Sequence, residues 1–208
     1  MNNFKIVLLF IVTLMCCNAA AQKLSTGFGI GTQLSKASYT DTFKNKLPTT
    51  YRPGLRVYAL GRINLEGNIF FSPEVSYTMK GFKIDKPNVG VAQQEITVHY
   101  IEFKLLQEYT FMQKYFAKIG PSIGGAIYGR DKQISTANLK SSKPLNFDFA
   151  AWSRFEASID ISVGAHFGSG WIAELRYSKG TSNIYDGDDG PRVKNQGIGI
   201  SIAKYLHN

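Results

Sequence analysis

The sequence predicts an all-β fold, an eight-stranded antiparallel up-and-down transmembrane β-barrel, on three observations. Apolar and polar side chains alternate with a period of two, the signature of strands with one apolar and one polar face. Eight segments of the chain carry that period. The connections between the segments are alternately long and short.

The clearest segment runs from Arg154 to Phe167. Phe155, Ala157, Ile159, Ile161, Val163, Ala165 and Phe167 oppose Arg154, Glu156, Ser158, Asp160, Ser162, Gly164 and His166. A helix with this pattern would have no coherent apolar stripe. The same reading predicts strands within 24–36, 51–63, 67–81, 95–111, 115–130, 171–181 and 195–206. All are long enough to cross a bilayer at a tilt, which takes about 9–11 residues, and an even strand number is what bacterial single-chain barrels use.

The predicted connections are 37–50, 64–66, 82–94, 112–114, 131–152, 168–170 and 182–194. Barrels of the bacterial outer membrane have long extracellular loops and short periplasmic turns, so both chain ends are expected on the periplasmic side. Phe167 and Trp171 flank one short turn, and Tyr109, Phe111, Tyr115 and Phe116 flank another, where an interfacial aromatic girdle is expected.

Residues 1–21 read as a signal peptide: Lys5, an apolar run from Ile6 to Cys17, then Ala19-Ala20-Ala21 before Gln22. The expected division is therefore a signal at 1–21 and one outer-membrane barrel domain at 22–208. Both cysteines, Cys16 and Cys17, fall in the signal, which leaves the mature chain without a disulfide. The rival reading is a lipoprotein signal with one of these cysteines acylated, but Met15 stands before Cys16 where a small residue is wanted. The formal net charge is +9, or +8 without Lys5. An exported chain rarely meets nucleic acid, so the expected anionic partners are outer-membrane lipids and lipopolysaccharide head groups.

Charges of both signs lie on the polar face: Arg56, Glu74, Glu102, Lys104, Lys118, Arg154, Glu156, Asp160, Glu174 and Arg176, with Arg52, Arg62 and Glu108 beside them. An eight-stranded barrel has an interior just wide enough for side chains. The ten named residues are therefore expected to form a structural network that plugs the lumen, with small residues such as Gly29, Gly31, Gly120 and Gly124 leaving room for the long ones.

No constellation for chemistry emerges, and neither enzyme activity nor a cofactor is expected. His99, His166 and His207 have no zinc-ligand spacing, and there is no G-x-S-x-G. The run Asp186-Gly187-Asp188-Asp189-Gly190 lacks the spacing and closing Glu of an EF-hand and suits a turn. The longest loop, near Arg130, Lys132, Lys140 and Lys143 with Phe147, Phe149 and Trp152, reads as a basic segment lying on outer-leaflet lipids, or as a docking surface.

Several segments resemble the PorT-like outer-membrane β-barrel family common in Bacteroidetes. They are GFGIGTQLS, FFSPEVSYTMKGFK, VHYIEFKLLQEYTF, YFAKIGPSIGGAI and WIAELRYSKGTSNI, in order over about residues 24–206. The family pattern departs in two places: the chain ends YLHN, with Tyr205 the last aromatic, and Lys104-Leu105-Leu106 follows Phe103 where a proline is common. The resemblance implies an outer-membrane barrel of a family whose members mostly lack an assigned activity and whose name-giving member belongs to a protein-secretion system. The expected function is a non-enzymatic, monomeric surface or assembly scaffold, with a protein partner on its extracellular loops. The alternatives are a narrow channel for small solutes and a soluble periplasmic binding barrel.

Overall fold

A computed structural model describes residues 24–88, 90–147, 152–185 and 190–206. The signal peptide, Phe149, the Asp186–Asp189 run and His207 lie outside the described residues. Eight long strands follow one another: β1 (Leu24–Thr40), β2 (Thr49–Glu66), β3 (Ile69–Asn88), β4 (Val91–Phe111), β5 (Tyr115–Ser135), β6 (Phe155–Phe167), β7 (Trp171–Gly180) and β8 (Arg192–Tyr205). Each pairs antiparallel with the next, and β8 pairs with β1 from Gly27↔Tyr205 to Thr40↔Arg192. The sheet thus closes on itself and has no free edge along the ring.

The registers fix the barrel's geometry. Crossing strand to strand from Leu24 leads through Ile63, Phe71, Gln107, Ile119, Ile161, Tyr177 and Ile198 to Leu34, ten residues further along β1. With a rise of about 3.3 Å per residue and strands about 4.8 Å apart, that stagger tilts the strands by about 40°. Phe111 and Ile101 bound the outward run of β4, apolar except for Gln107, and at this tilt their separation spans about 25 Å of height, the thickness of an outer-membrane hydrocarbon band.

The period of two now acquires a direction. Outward residues are apolar and exposed, as at Phe28 (62%), Phe103 (59%), Ile123 (61%) and Ile200 (64%), whereas inward ones on the same strands are polar and buried. A soluble barrel shows the opposite arrangement; lipid, not water, is the solvent this wall suits. Tyr109, Phe111, Tyr115, Phe167 and Trp171 form the outward periplasmic girdle. Phe116, expected in that girdle, is buried in the lumen, because alternation puts it on the face opposite Tyr115.

Periplasmic turns are short: 67–68, 112–114 and 168–170. Gly67 and Gly168 take φ of 54° and 55°, the left-handed conformation that tight turns need and glycine adopts freely. On the extracellular side the predicted 82–94 loop is instead a hairpin, since β3 and β4 run on to Asn88 and from Val91. The predicted 131–152 loop likewise begins as a hairpin, with Lys140–Pro144 paired to β5.

The extension has a physical cause written into the side chains. On β3 the inward residues are Ser72, Glu74, Ser76, Thr78 and Lys80, followed by Phe82 and Ile84, all buried. On β4 they change from Glu102 to Tyr100, Val98 and Ile96. Beyond the membrane the outside is water, so the apolar face turns inward and makes an ordinary hydrophobic core.

Candidate functional site

Three stacked layers fill the barrel. At the periplasmic end Tyr58, Leu60, Phe116, Ile172, Ala203 and Tyr205 make a small apolar plug. In the middle lie the charges. At the extracellular end Phe82, Ile84, Ile96, Val98 and Tyr100 pack with Ala37, Ala126, Ile184 and Val193. The segments after β5 and β7 fold over that end: Trp152 and Tyr185 form a β-bridge, and the Trp152 ring lies 6.5 Å from Phe82.

The middle layer is a continuous chain of ion pairs down the lumen. Lys80 holds Glu156 at 3.1 Å and Glu102 at 2.6 Å; Lys104 holds Glu102 at 3.1 Å and Asp160 at 2.9 Å. Arg176 joins Asp160 (3.5 Å) to Glu74 (2.9 Å) and Glu174 (2.5 Å), and Arg56 donates to Glu74. Lys118 lies 3.3 Å from Glu174, 3.7 Å from Glu74 and 3.6 Å from Glu108, whose other oxygen accepts from Arg62 at 2.7 Å.

Six basic and six acidic side chains take part, so the network is formally neutral. Neutrality decides whether it can exist. An isolated charge in such a place costs many kcal/mol, and only pairing with further hydrogen bonds compensates. Those further bonds are present for Glu102, Asp160, Glu108 and Glu156, whereas Lys118 Nζ and Glu174 Oε2 have ion-pair contacts alone. Thr78 and Ser76 donate to Glu102, Ser122 to Asp160, Ser72 to Glu108, and Asn195 to Glu156. Beside the network about 20 Å³ is empty, room for about one water molecule.

Nine of the ten sequence-predicted residues meet here: Arg56, Glu74, Glu102, Lys104, Lys118, Glu156, Asp160, Glu174 and Arg176. Arg154 does not. It precedes the first residue of β6, is exposed at the extracellular rim, and donates to the Phe147 carbonyl at 3.4 Å. Lys80, Arg62 and Glu108 complete the network; the period places Lys80 on the polar face of the predicted 67–81 strand, though it is not among the ten residues expected in the network. Arg52 is also outside it, since a register shift between Tyr51 and Arg56 turns its side chain to Thr97 and Glu95.

Gly29 and Gly124 give space as expected, the first to the Tyr58 ring and the second to Glu102. His166 lies 4.0 Å from Glu108 at the periplasmic mouth, and His99, on the outer wall, bonds the Tyr77 hydroxyl at 2.6 Å. Among the described residues no group of His, Cys, Asp and Glu is placed to hold a metal ion.

Residues 20–186 match the model of the outer membrane protein beta-barrel domain family. The chain belongs to that family. The structure adds the last strand of this outer membrane protein beta-barrel domain, β8, which lies beyond the matched residues and closes the ring. Comparison with curated proteins finds no match.

Among solved structures, neisserial surface protein A is similar over 88% of this chain and 99% of its own, with 9% identity and a TM-score of 0.52. The Ail attachment invasion locus protein of Yersinia pestis covers 88% and 98%, with 14% identity and a TM-score of 0.49. OprG of Pseudomonas aeruginosa covers 89% and 96%, with 7% identity and a TM-score of 0.45. At these identities what is shared is the fold.

Proposed function

We propose that this outer-membrane barrel is a monomeric, non-enzymatic scaffold closed to solutes, and that its extracellular rim is the working surface. The observation that carries the reading is the three-layer filling of the lumen: among the described residues about 20 Å³ is empty beside the central ion pairs, and a larger cavity, about 440 Å³ beside Arg62 and Tyr205, lies at the periplasmic mouth. A pathway for solutes would need rings of uncompensated polar groups around open space. Here each charge is paired.

The finer assignment, a PorT-like barrel serving protein secretion, is supported by where the resembling segments lie. The segment P-E-x-x-Y-x-x-K-G supplies Glu74 and Lys80, Y-I-E-F supplies Tyr100 and Glu102, and G-P-x-x-G supplies Ser122 and the space at Gly124. The residues of these segments build the closed interior.

Asn138, at the tip of the β5 hairpin, and Gln113, in a periplasmic turn, are the test positions. In the native host, a membrane-impermeant maleimide carrying a bulky group should couple to N138C on intact cells and reduce protein export. It should couple to Q113C only after permeabilisation. Labelling of N138C that requires permeabilisation contradicts the rim reading; labelling with undiminished export contradicts only the association with secretion.

A further inference from the structure

Outward cations are concentrated at one rim of the barrel. On β1 and β8, Lys36, Arg192 and Lys194 share the outer face, with Lys194 opposite Ser38 and Arg192 opposite Thr40. None of the three has an ion pair with a described carboxylate. Lys36 instead lies over the Tyr51 ring, 4.7 Å from its centroid.

Further round, Glu95 on β4 is flanked across the strands by Lys83 on β3 and Lys132 on β5 and is bonded by Arg52 at 2.7 Å, three cations around one carboxylate. On the described periplasmic rim the outward cations are Lys204, over the Trp171 ring, and Lys114, in a turn.

These residues begin where the apolar band stops. On β1 Leu34 is the last outward apolar residue, 47% exposed, and Lys36 is the next outward position. On β8 Ile198 is followed upward by Gln196 and Lys194. A lipid whose acyl chains lie along the band therefore brings its head group to the height of the collar. Phosphate is the anion such a head group offers, and Arg and Lys are its natural partners.

We propose that this collar binds phosphorylated glycolipid of the outer leaflet, with acyl chains on the apolar wall and phosphates on the two cation clusters. The proposal rests on the outer-membrane orientation and deepens it by naming the lipid chemistry. Neutral head groups leave Arg52, Lys83 and Lys132 with two described carboxylates among them, Glu95 and, at the next outward position beyond Lys83, Asp85. A free phosphate ion satisfies the charges but gains nothing from the wall below.

Native mass spectrometry of the refolded protein in detergent tests the proposal with three probes: diphosphorylated lipid A, dephosphorylated lipid A and inorganic phosphate. The phosphorylated lipid should bind at least about ten-fold more tightly than the dephosphorylated one, and K36Q/R192Q/K194Q or R52Q/K83Q/K132Q should remove most of that preference. Inorganic phosphate should neither bind nor compete at matched concentration. Equal binding of the two lipids, an unchanged preference in both triple variants, or competition by inorganic phosphate overturns the proposal. Each variant is also run unheated on SDS gels, where retained heat-modifiability shows that the barrel persists and separates loss of lipid from loss of fold.

Discussion

Replacement of Arg176 by methionine is expected to destabilise the barrel by about 3–5 kcal/mol, the range for removing one partner of a buried ion pair. Methionine keeps much of the stem's volume, so packing changes little. The charge balance changes completely, because Arg176 is 7% exposed and joins Glu74, Glu174 and Asp160. Without it six carboxylates face five cations in the lumen. Lys118 and Arg56 already share Glu74 and Glu174, and no other described cation stands close enough to take over.

The double variant R176M/E74Q restores neutrality and should recover more than half of the loss, the non-additivity expected of residues in one network. Urea unfolding of the refolded protein in vesicles, followed by the unheated gel shift, reads both values. A single variant within about 0.5 kcal/mol of wild type would mean that the charges are solvated and the lumen is wet.

Phe82→Ala is expected to cost about 3–5 kcal/mol locally, the usual range for removing a buried aromatic side chain. The phenyl ring is 1% exposed and lies between Tyr39, at 6.3 Å, and Trp152, at 6.5 Å. Its loss removes the floor on which the segment around Trp152 and Ile184 rests. The effect should be confined to the extracellular end, because the ion pairs begin one layer below. Trypsin should therefore cleave faster after Arg154, while the membrane-embedded part stays heat-modifiable. Cleavage at the wild-type rate would show that the loops are already open and that the apolar layer does not hold them.

The barrel itself was legible in the sequence because eight alternating segments come with connections that are alternately long and short; alternation by itself suits a soluble antiparallel sheet equally well. The strand phase alone brought nine of the ten predicted charges into the lumen. Arg154 failed because alternation continues past the point where the strand ends; phase identifies a face and not a height. The extracellular half of β3 and β4 was hidden for a related reason. The apolar residues change from outward Met79 to inward Phe82, and from inward Val98 to outward Ile101. A fixed-phase reading takes such a slip for the end of a strand, whereas it marks the height at which lipid gives way to water. The same slip occurs on β1 between Leu34 and Ala37, and on β8 between Val193 and Ile198. Four strands agree on it. The bulge that turns Arg52 outward falls at Pro53-Gly54, residues that mark irregularities in a strand, but which side chain it redirects depends on the register of two strands together.

Planar-bilayer recording of the refolded protein tests the closed lumen most directly. A neutral ion-pair chain sealed above by the Phe82 layer and below by Phe116 and Tyr205 should show no steady conductance at any holding potential that leaves the bilayer intact. A reproducible open level in the wild-type protein would contradict it.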